Sequence, residues 1–299
     1  MKYPAEVISK DIQTEISQAL DQMGIMFRIF GRVKNFTSLN KKLSSDEEYG
    51  QSKKLQDLIG IRIVLYFPDD VLIVHRAISA LYNEREKDQS IDRAKATTFK
   101  PVRYNLVYDV PERMNYELTP SLIEKVDTTF ELQLRTVLSE GWHEVEHDLR
   151  YKCKKDWLDF PEETRMLNGI YASLETNEWT MIKIFEEIAY GHYKQRNWES
   201  MLRQKLRLRL DDKPLSTQII EIFNADIDLA KKFFRIDRSN LIVLLYEKRF
   251  DYPMNLENLI FFANHQIIKS EKIFAITSQG FLDDLSAKPN DIDLSHLSL

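Results

Sequence analysis

Phe130-Glu131-Leu132-Gln133-Leu134-Arg135-Thr136 alternates apolar and polar side chains without a break. That period of two is the pattern of a strand, whose successive side chains point to opposite faces. Phe130, Leu132 and Leu134 are therefore expected to face a core, with Glu131, Gln133 and Arg135 forming one polar stripe on the other face. A solvated sheet face and a charged binding face both fit such a stripe. A second run, Asp57-Leu-Ile-Gly60-Ile-Arg62-Ile-Val-Leu-Tyr-Phe67, is nearly all apolar and β-branched. It predicts a central strand over Gly60 to Phe67, buried on both faces. Arg62 lies inside it and must meet a carboxylate or a bound anion, because a buried guanidinium left alone costs several kcal/mol.

Outward from these runs, strand and helix patterns alternate. Met26 to Lys34 reads as a strand turning into a helix over Ser38 to Glu48, with loop character from Ser44 to Lys54. Asp69 to Tyr82 has helical spacing behind an Asp-Asp cap, Asn83 to Thr98 reads as a mobile charged loop, and Val102 to Val110 as a strand. Val137 to Tyr151 predicts a helix, and Val7, Ile8, Ile12, Ile16, Leu20 and Met23 predict an amphipathic opening helix stopped by Gly24. Beyond Lys155 the spacing is helical over Glu162–Gln195, Glu199–Leu210, Thr217–Phe234, Arg238–Lys248 and Leu256–Ser270, followed by a polar tail. The expected fold class is α/β (α+β), a mixed sheet flanked by helices over residues 1–155, with an all-α domain over 156–299.

The 299 residues carry Lys+Arg 42 against Asp+Glu 47, a formal charge of -5. Bulk charge therefore gives no attraction to nucleic acid, and any anion site must be a local basic cluster. Scarce glycine and proline (8 and 9) argue against collagen-like or turn-rich all-β architectures. The one cysteine, Cys153, excludes an internal disulfide framework and a thiolate-rich zinc site, and fits a reducing cytosol. No apolar run approaches the roughly 20 residues of a membrane span. The opening MKYPAEVISKD lacks the apolar region of a signal peptide, so a cytoplasmic protein with no membrane partner is expected.

Three clusters carry chemistry. In Gly31-Arg32-Val33-Lys34-Asn35-Phe36-Thr37-Ser38-Leu39-Asn40-Lys41-Lys42, Arg32 and Lys34 share a strand face while Ser38 and Lys42 share a helix face. A strand feeding a helix start offers backbone N–H groups and cations to a polyphosphate, although solvated basic residues give the same pattern. There is no Walker loop or GxGxxG. Asp57 ahead of one strand and Glu131 within another are hard oxygen ligands that suit Mg²⁺ carrying a nucleotide, provided one sheet brings them together. His143-Glu144-Val145-Glu146-His147 matches the zincin HExxH pattern, but no third ligand has a distinctive context.

The order of these motifs resembles the RelA/SpoT family of alarmone synthetases over roughly residues 25 to 155. Arg32-x-Lys34-x-x-x-Ser38-x-x-x-Lys42 is similar to the family's ATP-binding RxKxxxSxxxK motif, and Asp57-Leu-Ile-Gly-Ile-Arg62 to its D-L-x-G-I-R strand. Glu131-Leu-Gln133-Leu-Arg135-Thr136 resembles E-x-Q-I-R-T, and Glu146-His147-Asp-Leu-Arg150-Tyr151-Lys152 resembles E-H-x-L-R-Y-K, which accounts for His147 without zinc. The resemblance implies a nucleotidyltransferase-like synthetase domain that transfers the β,γ-pyrophosphoryl of ATP to the 3′-hydroxyl of a guanine nucleotide. It implies ATP contacts from Arg32, Lys34, Ser38, Lys42 and Arg62, with Mg²⁺ held by Asp57 and Glu131. Lys100, Tyr104, Gln133, Arg135 and His147 then become the acceptor-binding candidates.

The acceptor stretch departs from the family's P-K-x-N-G-Y-x-S-L-H. In Phe99-Lys100-Pro-Val-Arg103-Tyr104-Asn105-Leu-Val-Tyr108, Lys100 and Tyr104 match, but Arg103 replaces Gly and Tyr108 replaces His. Arg93 would take the place of the family's upstream Lys in this loop. That puts guanine recognition in question. Tyr104 and Tyr108 also read as cross-strand packing residues. Transfer to the 3′ end of tRNA or to an adenine nucleotide, and a catalytically silent nucleotide sensor, stand as alternatives. No HDxxxD-type hydrolase site precedes the synthetase segment. In the helical region, Trp179, Tyr190, Trp198, Phe233 and Phe234 suggest core or interface, and Arg203, Lys205, Arg207 and Arg209 suggest an anionic partner or a solvated face. Either domain could join the chain into a homo-oligomer.

Overall fold

The computed structural model describes residues 5–92, 104–114 and 120–287. These divide into two compact units. The first takes in the described residues up to Gln18, Phe27–Val71 and Ile78–Glu178; the second takes in Ala19–Met26, Leu72–Ala77 and the described residues from Trp179 onward.

The chain opens with α1 (Ala5–Gln22), then runs β1 (Phe27–Val33), α2 (Phe36–Ser44), β2 (Ile59–Leu65), α3 (Val71–Leu81), β3 (Ser90–Ile91), β4 (Tyr104–Asp109), α4 (Pro120–Ile123), β5 (Thr129–Thr136) and α5 (Val137–Val145). The five strands form one mixed sheet in the order β1-β2-β5-β4-β3. β2 and β5 pair in parallel, and the other pairs are antiparallel. The two runs read above as strands are thus adjacent in the middle of the sheet, where an apolar, β-branched sequence belongs. Their register sets Gly60 opposite Glu131 and Arg62 opposite Gln133.

One face of the sheet is core: Ile59, Ile61, Ile63 and Leu65 lie beside Phe130, Leu132 and Leu134, with Leu106 and Tyr108 completing the layer, all buried. α1 covers this face with Ile8, Ile12 and Ile16, which are also buried. It lies so close at Gly31 that a Cβ there would collide with Gln13 Nε2 and Ser9 Oγ. Tyr82 meets Phe130 edge-on at 5.1 Å, and Tyr108 stacks on Phe130 at 5.4 Å while sharing a 3.0 Å hydrogen bond with Ser79 Oγ. Tyr108 is therefore a packing residue.

The other face is polar, and here the sequence reading needs correction. β2 is not buried on both sides, since Gly60 and Arg62 are half-buried on this face. Nor is the stripe on β5 evenly solvated, because Glu131 and Gln133 are half-buried and Arg135 is only 9% exposed. Part of the charged stretch after α3 is anchored: Arg85 pairs with Asp109 at 2.6 Å and Asp127 at 2.8 Å. Long-range ion pairs of this kind leave no periodicity to read. Residues 93–98 of that stretch lie outside the described residues.

The second unit contains the later part of α6 (Pro161–Lys194), with α7 (Trp198–Leu206), α8 (Thr217–Ala225), α9 (Ile227–Phe234), α10 (Arg238–Glu247), α11 (Leu256–Ala263), α12 (Glu271–Phe274) and α13 (Gln279–Ala287). The single helix expected over Thr217–Phe234 is two. Asp226 leaves the helical conformation and its carboxylate accepts the Leu229 N–H at 2.9 Å, capping α9. The expected polar tail instead contains α12 and α13, which bury Ile273, Phe281 and Leu285. Trp198, Phe223, Phe233, Phe250 and Phe262 fill the core, whereas Trp179 and Tyr190 are exposed. Arg203, Lys205 and Arg209 each pair with an acid of the same unit (Glu199, Glu186 and Asp21), and Arg207 is buried. That run therefore forms no free basic face.

Because Leu132 is wholly buried in the middle of the sheet, Leu132→Ala is expected to cost about 2–5 kcal/mol. Urea unfolding followed by circular dichroism checks this.

Candidate active site

β1 ends at Val33, and Asn35 caps α2, its side chain accepting the Ser38 N–H at 2.8 Å. This short corner delivers Lys34 and, one helical turn past Ser38, Lys42 to the same carboxylate. Lys34 Nζ lies 3.1 Å and Lys42 Nζ 2.8 Å from Asp57 Oδ2. Burial alone would raise the Asp57 carboxyl, but Lys42 and Lys34 hold it below the usual carboxylate range. Its other oxygen, Oδ1, is buried without a hydrogen-bond partner among the described residues.

Arg32 sits opposite Gly60 across the β1–β2 pair. A Cβ on Gly60 would lie 3.3 Å from Arg32 Nε, so the glycine lets the arginine lie across the sheet. Arg62 meets carboxylates and an amide, the outcome its sequence position required. Its Nη1 donates to Glu140 Oε1 at 2.6 Å and to Glu144 Oε1, and its Nε donates to Gln133 Oε1 at 3.0 Å. Burial lowers the guanidinium's basicity, and the hydrogen bonds to Glu144 and Glu140 more than restore it.

Glu131 lies between two amides. Asn105 Nδ2 donates to its Oε1 at 2.9 Å, and Gln133 Nε2 approaches its Oε2 at 3.4 Å. Arg135 donates to Asn105 Oδ1 at 3.1 Å and to the Leu134 carbonyl at 2.9 Å; burial, then the nearby Arg62, lower its basicity.

α5 supplies the wall. Its N-terminus, where positive dipole and free N–H groups collect, faces the buried Glu178 carboxylate. Burial raises that carboxyl, opposed by hydrogen bonds from the Thr136 hydroxyl and the Ser139 and Leu138 N–H groups. Trp142 donates its indole N–H to the Leu167 carbonyl at 3.2 Å and packs on Tyr171 with ring centroids 4.8 Å apart. The sequence expects a helix to Tyr151; the α-helix ends at Val145 and continues as a π-helix from Glu146 to Tyr151.

The polar face opens into two adjoining cavities. One, of about 920 Å³, is lined by Arg32, Lys42, Asp57, Arg62, Glu131, Gln133, Arg135 and His147, with Asn105, His143 and Glu144. The other, of about 630 Å³, shares Lys42, Asp57 and Glu131 and adds Lys53, Lys54 and Arg85. Asp57 and Glu131 thus border both.

Residues 31–156 match the family model described as a region found in RelA / SpoT proteins. The chain carries a RelA/SpoT region. Among solved structures it resembles small alarmone synthetase 1 from Bacillus subtilis (22% identity, 60% of this chain and 91% of that one, TM-score 0.42). The same synthetase bound to its product pppGpp (22%, 60% and 92%, 0.46) is also similar, as is small alarmone synthetase 2 from that organism (24%, 60% and 91%, 0.42). No curated protein matches the chain.

Within the RelA/SpoT region the sheet gathers eight of the twelve expected site residues on the larger cavity, and Lys34 joins them through Asp57. Ser38 does not line either cavity and contributes its backbone N–H to the cap of α2. Tyr104 lies in register on the side of Leu106 and Tyr108, opposite to Asn105, and lines neither cavity. Lys100, Arg93 and Arg103 lie outside the described residues. The HExxH pair makes no metal centre. His147 bonds Asp148 at 3.0 Å and stacks on Tyr151, His143 packs against Trp142 and Tyr171, and among the described residues no group of three His, Cys, Asp or Glu could hold a metal ion. Asn105, Glu140, Glu144 and His143 were not singled out for this site. Glu140 and Glu144 carried a signal, an i, i+4 pair just after the E-x-Q-x-R strand. Asn105 carried none beyond its place beside Tyr104.

His143 is held neutral, its pKa pushed down to about 4 by burial and by Arg135 and Arg62. An unfolded histidine takes its proton near pH 6.5, so between about 6.5 and 4 the unfolded chain binds more protons and stability falls with pH. That stability is fully present above 6.5. Relative to His143→Gln, the protein is expected to lose roughly 2 kcal/mol more between pH 7 and 4.5, by urea unfolding at the two pH values.

Proposed function

We propose that this chain is a Mg²⁺-dependent pyrophosphokinase that transfers the β,γ-pyrophosphoryl group of ATP to the 3′-hydroxyl of a guanine nucleotide. The RelA/SpoT region supports a pyrophosphotransferase at family level; donor, acceptor and ion are our assignment. The observation that supports it is that Asp57 and Glu131 both line the same two cavities, with Arg32, Lys42, Arg62 and Arg135 on the larger.

Transfer of this kind asks the protein to align a hydroxyl with the β-phosphorus and to spread charge; it needs little covalent chemistry. The 3′-oxygen forms a bond to the β-phosphorus, the bond from that phosphorus to the α,β-bridging oxygen breaks, and AMP leaves. In this assignment Arg32, Lys34, Lys42 and Arg62 neutralise the donor phosphates, and Ser38 adds a hydrogen bond. Glu131 orients the attacking hydroxyl or takes its proton. Gln133, Arg135 and His147, with Lys100 and Tyr104, are assigned to the acceptor.

The donor set fits Mg²⁺: two carboxylates, with the buried Asp57 Oδ1 still lacking a partner, suit an ion that takes its remaining ligands from phosphates and water. Asp57 and Glu131 would hold it, and the ion would neutralise charge on the transferring group. Lys34 and Lys42 pair with Asp57, and Arg62 pairs with Glu140 and Glu144. Binding ATP exchanges those carboxylates for phosphates. The departures at Arg103 and Tyr108 from the family's acceptor stretch leave the 3′ end of tRNA or an adenine nucleotide as the second candidate acceptor.

Incubation with γ-labelled ATP, Mg²⁺ and GDP, GTP, ATP or deacylated tRNA in turn tests this. Label is expected on the guanine nucleotides; label on tRNA alone, or on ATP as the only acceptor, selects that second acceptor, and nucleotide binding without transfer points to a silent sensor. Asp57→Ala and Glu131→Ala are expected to abolish transfer while keeping the fold. Glu144→Gln, which releases one partner of Arg62, is expected to tighten ATP binding about two- to fivefold by titration calorimetry, the scale of a partly exposed ion pair.

A further inference from the structure

Asn105 has no role in the assignment above, yet it holds both ends of a polar chain. Arginine can only donate hydrogen bonds, so an amide facing it must present its oxygen. Arg135 takes Asn105 Oδ1 at 3.1 Å, which turns Nδ2 toward Glu131 Oε1 at 2.9 Å. Arg62 takes Gln133 Oε1 at 3.0 Å in the same way, which turns Nε2 toward Glu131 Oε2 at 3.4 Å. Two arginines therefore fix the polarity of two amides, and both amides aim N–H groups at one carboxylate. The Asn105 arm is the tighter one. The backbone enforces it, because β4 sets Asn105 opposite Gln133 on the face that carries Glu131. Arg135 is buried, and among the described residues it forms no ion pair, so Asn105 is its side-chain acceptor.

We propose that Asn105 is a positioning residue for pyrophosphoryl transfer: oriented by Arg135, it donates to Glu131 and fixes that carboxylate at the border of the two cavities. The inference rests on the role given to Glu131 in the proposed function. It separates Asn105 from Tyr104, its neighbour in sequence, whose side of the strand is the other one.

Asn105→Asp and the neutral Asn105→Ala discriminate together. The aspartate keeps the size of the side chain and an acceptor for Arg135, but puts an oxygen and a negative charge where Glu131 receives an N–H. A role confined to packing or to satisfying Arg135 predicts that the aspartate retains activity, and a loss shared by the alanine variant is one that the added charge does not explain. The full-length protein, Asn105→Asp and Asn105→Ala are compared for label transfer from γ-labelled ATP, for KM of ATP and for thermal unfolding. A fall in kcat of about 100-fold in both variants is expected, with KM for ATP within about threefold and melting temperatures within a few degrees of the parent. Two results overturn the proposal while leaving the proposed function standing: a parent that transfers label alongside an Asn105→Asp variant within threefold of it, or variants whose loss of activity follows loss of the thermal transition. A parent that transfers label to no acceptor overturns the function and this proposal with it.

Discussion

The parallel pairing of β2 with β5 is the constraint on which the site depends. Its register sets Gly60 beside Glu131 and Arg62 beside Gln133, and Asp57, just before β2, lines the same two cavities as Glu131. Shifting that register by one residue would turn Glu131, Gln133 and Arg135 into the core and expose Leu132 and Leu134. The apolar face thus specifies the polar one. Burial of Ile61, Ile63, Leu132 and Leu134 against α1 holds the charged groups at their spacing without any direct contact between the two sets.

Charge is arranged on that frame as a closed circuit. Asp57 is shared by two lysines, Arg62 by two glutamates, and Glu131 by two amides whose orientation is set by arginines. Buried or half-buried charges tolerate low dielectric only when paired, so without ligand the cavity must satisfy itself. Two groups are exceptions. Asp57 Oδ1 is buried and lacks a partner among the described residues, and Arg135 is buried with only neutral acceptors among them. The proposed function would bring an anion and a divalent cation to this face.

Much of this was legible in the residues. Period-two alternation at 130–136 and the β-branched run at 59–65 identified the central strands, and the basic corner at 32–42 pointed to cations that the structure places on or beside the larger cavity, because each signal is local. What was not legible is what depends on distant partners. Arg62 required an acid, but the pattern did not say that Glu140 and Glu144 on α5 would supply it. Arg135 read as part of a polar stripe of undetermined exposure, because alternation gives the face of a strand and not the depth at which it lies. Tyr108 stands where the family has a histidine and also reads as a packing residue; the structure selects packing, because the ring stacks on Phe130 in the core. In the helical part, the break at Asp226 was hidden because apolar spacing runs on across α8 and α9 while one side chain caps the second helix.

The convergence of Asp57 and Glu131 on one cation is tested most directly by paramagnetic broadening. With Mn²⁺ and a non-hydrolysable ATP analogue added to the isotope-labelled protein, amide signals of residues 56–60 and 130–133 should broaden together, and should sharpen again when excess Mg²⁺ displaces the manganese. Broadening centred on His143 and His147, or on one acid's neighbours without the other's, would contradict it.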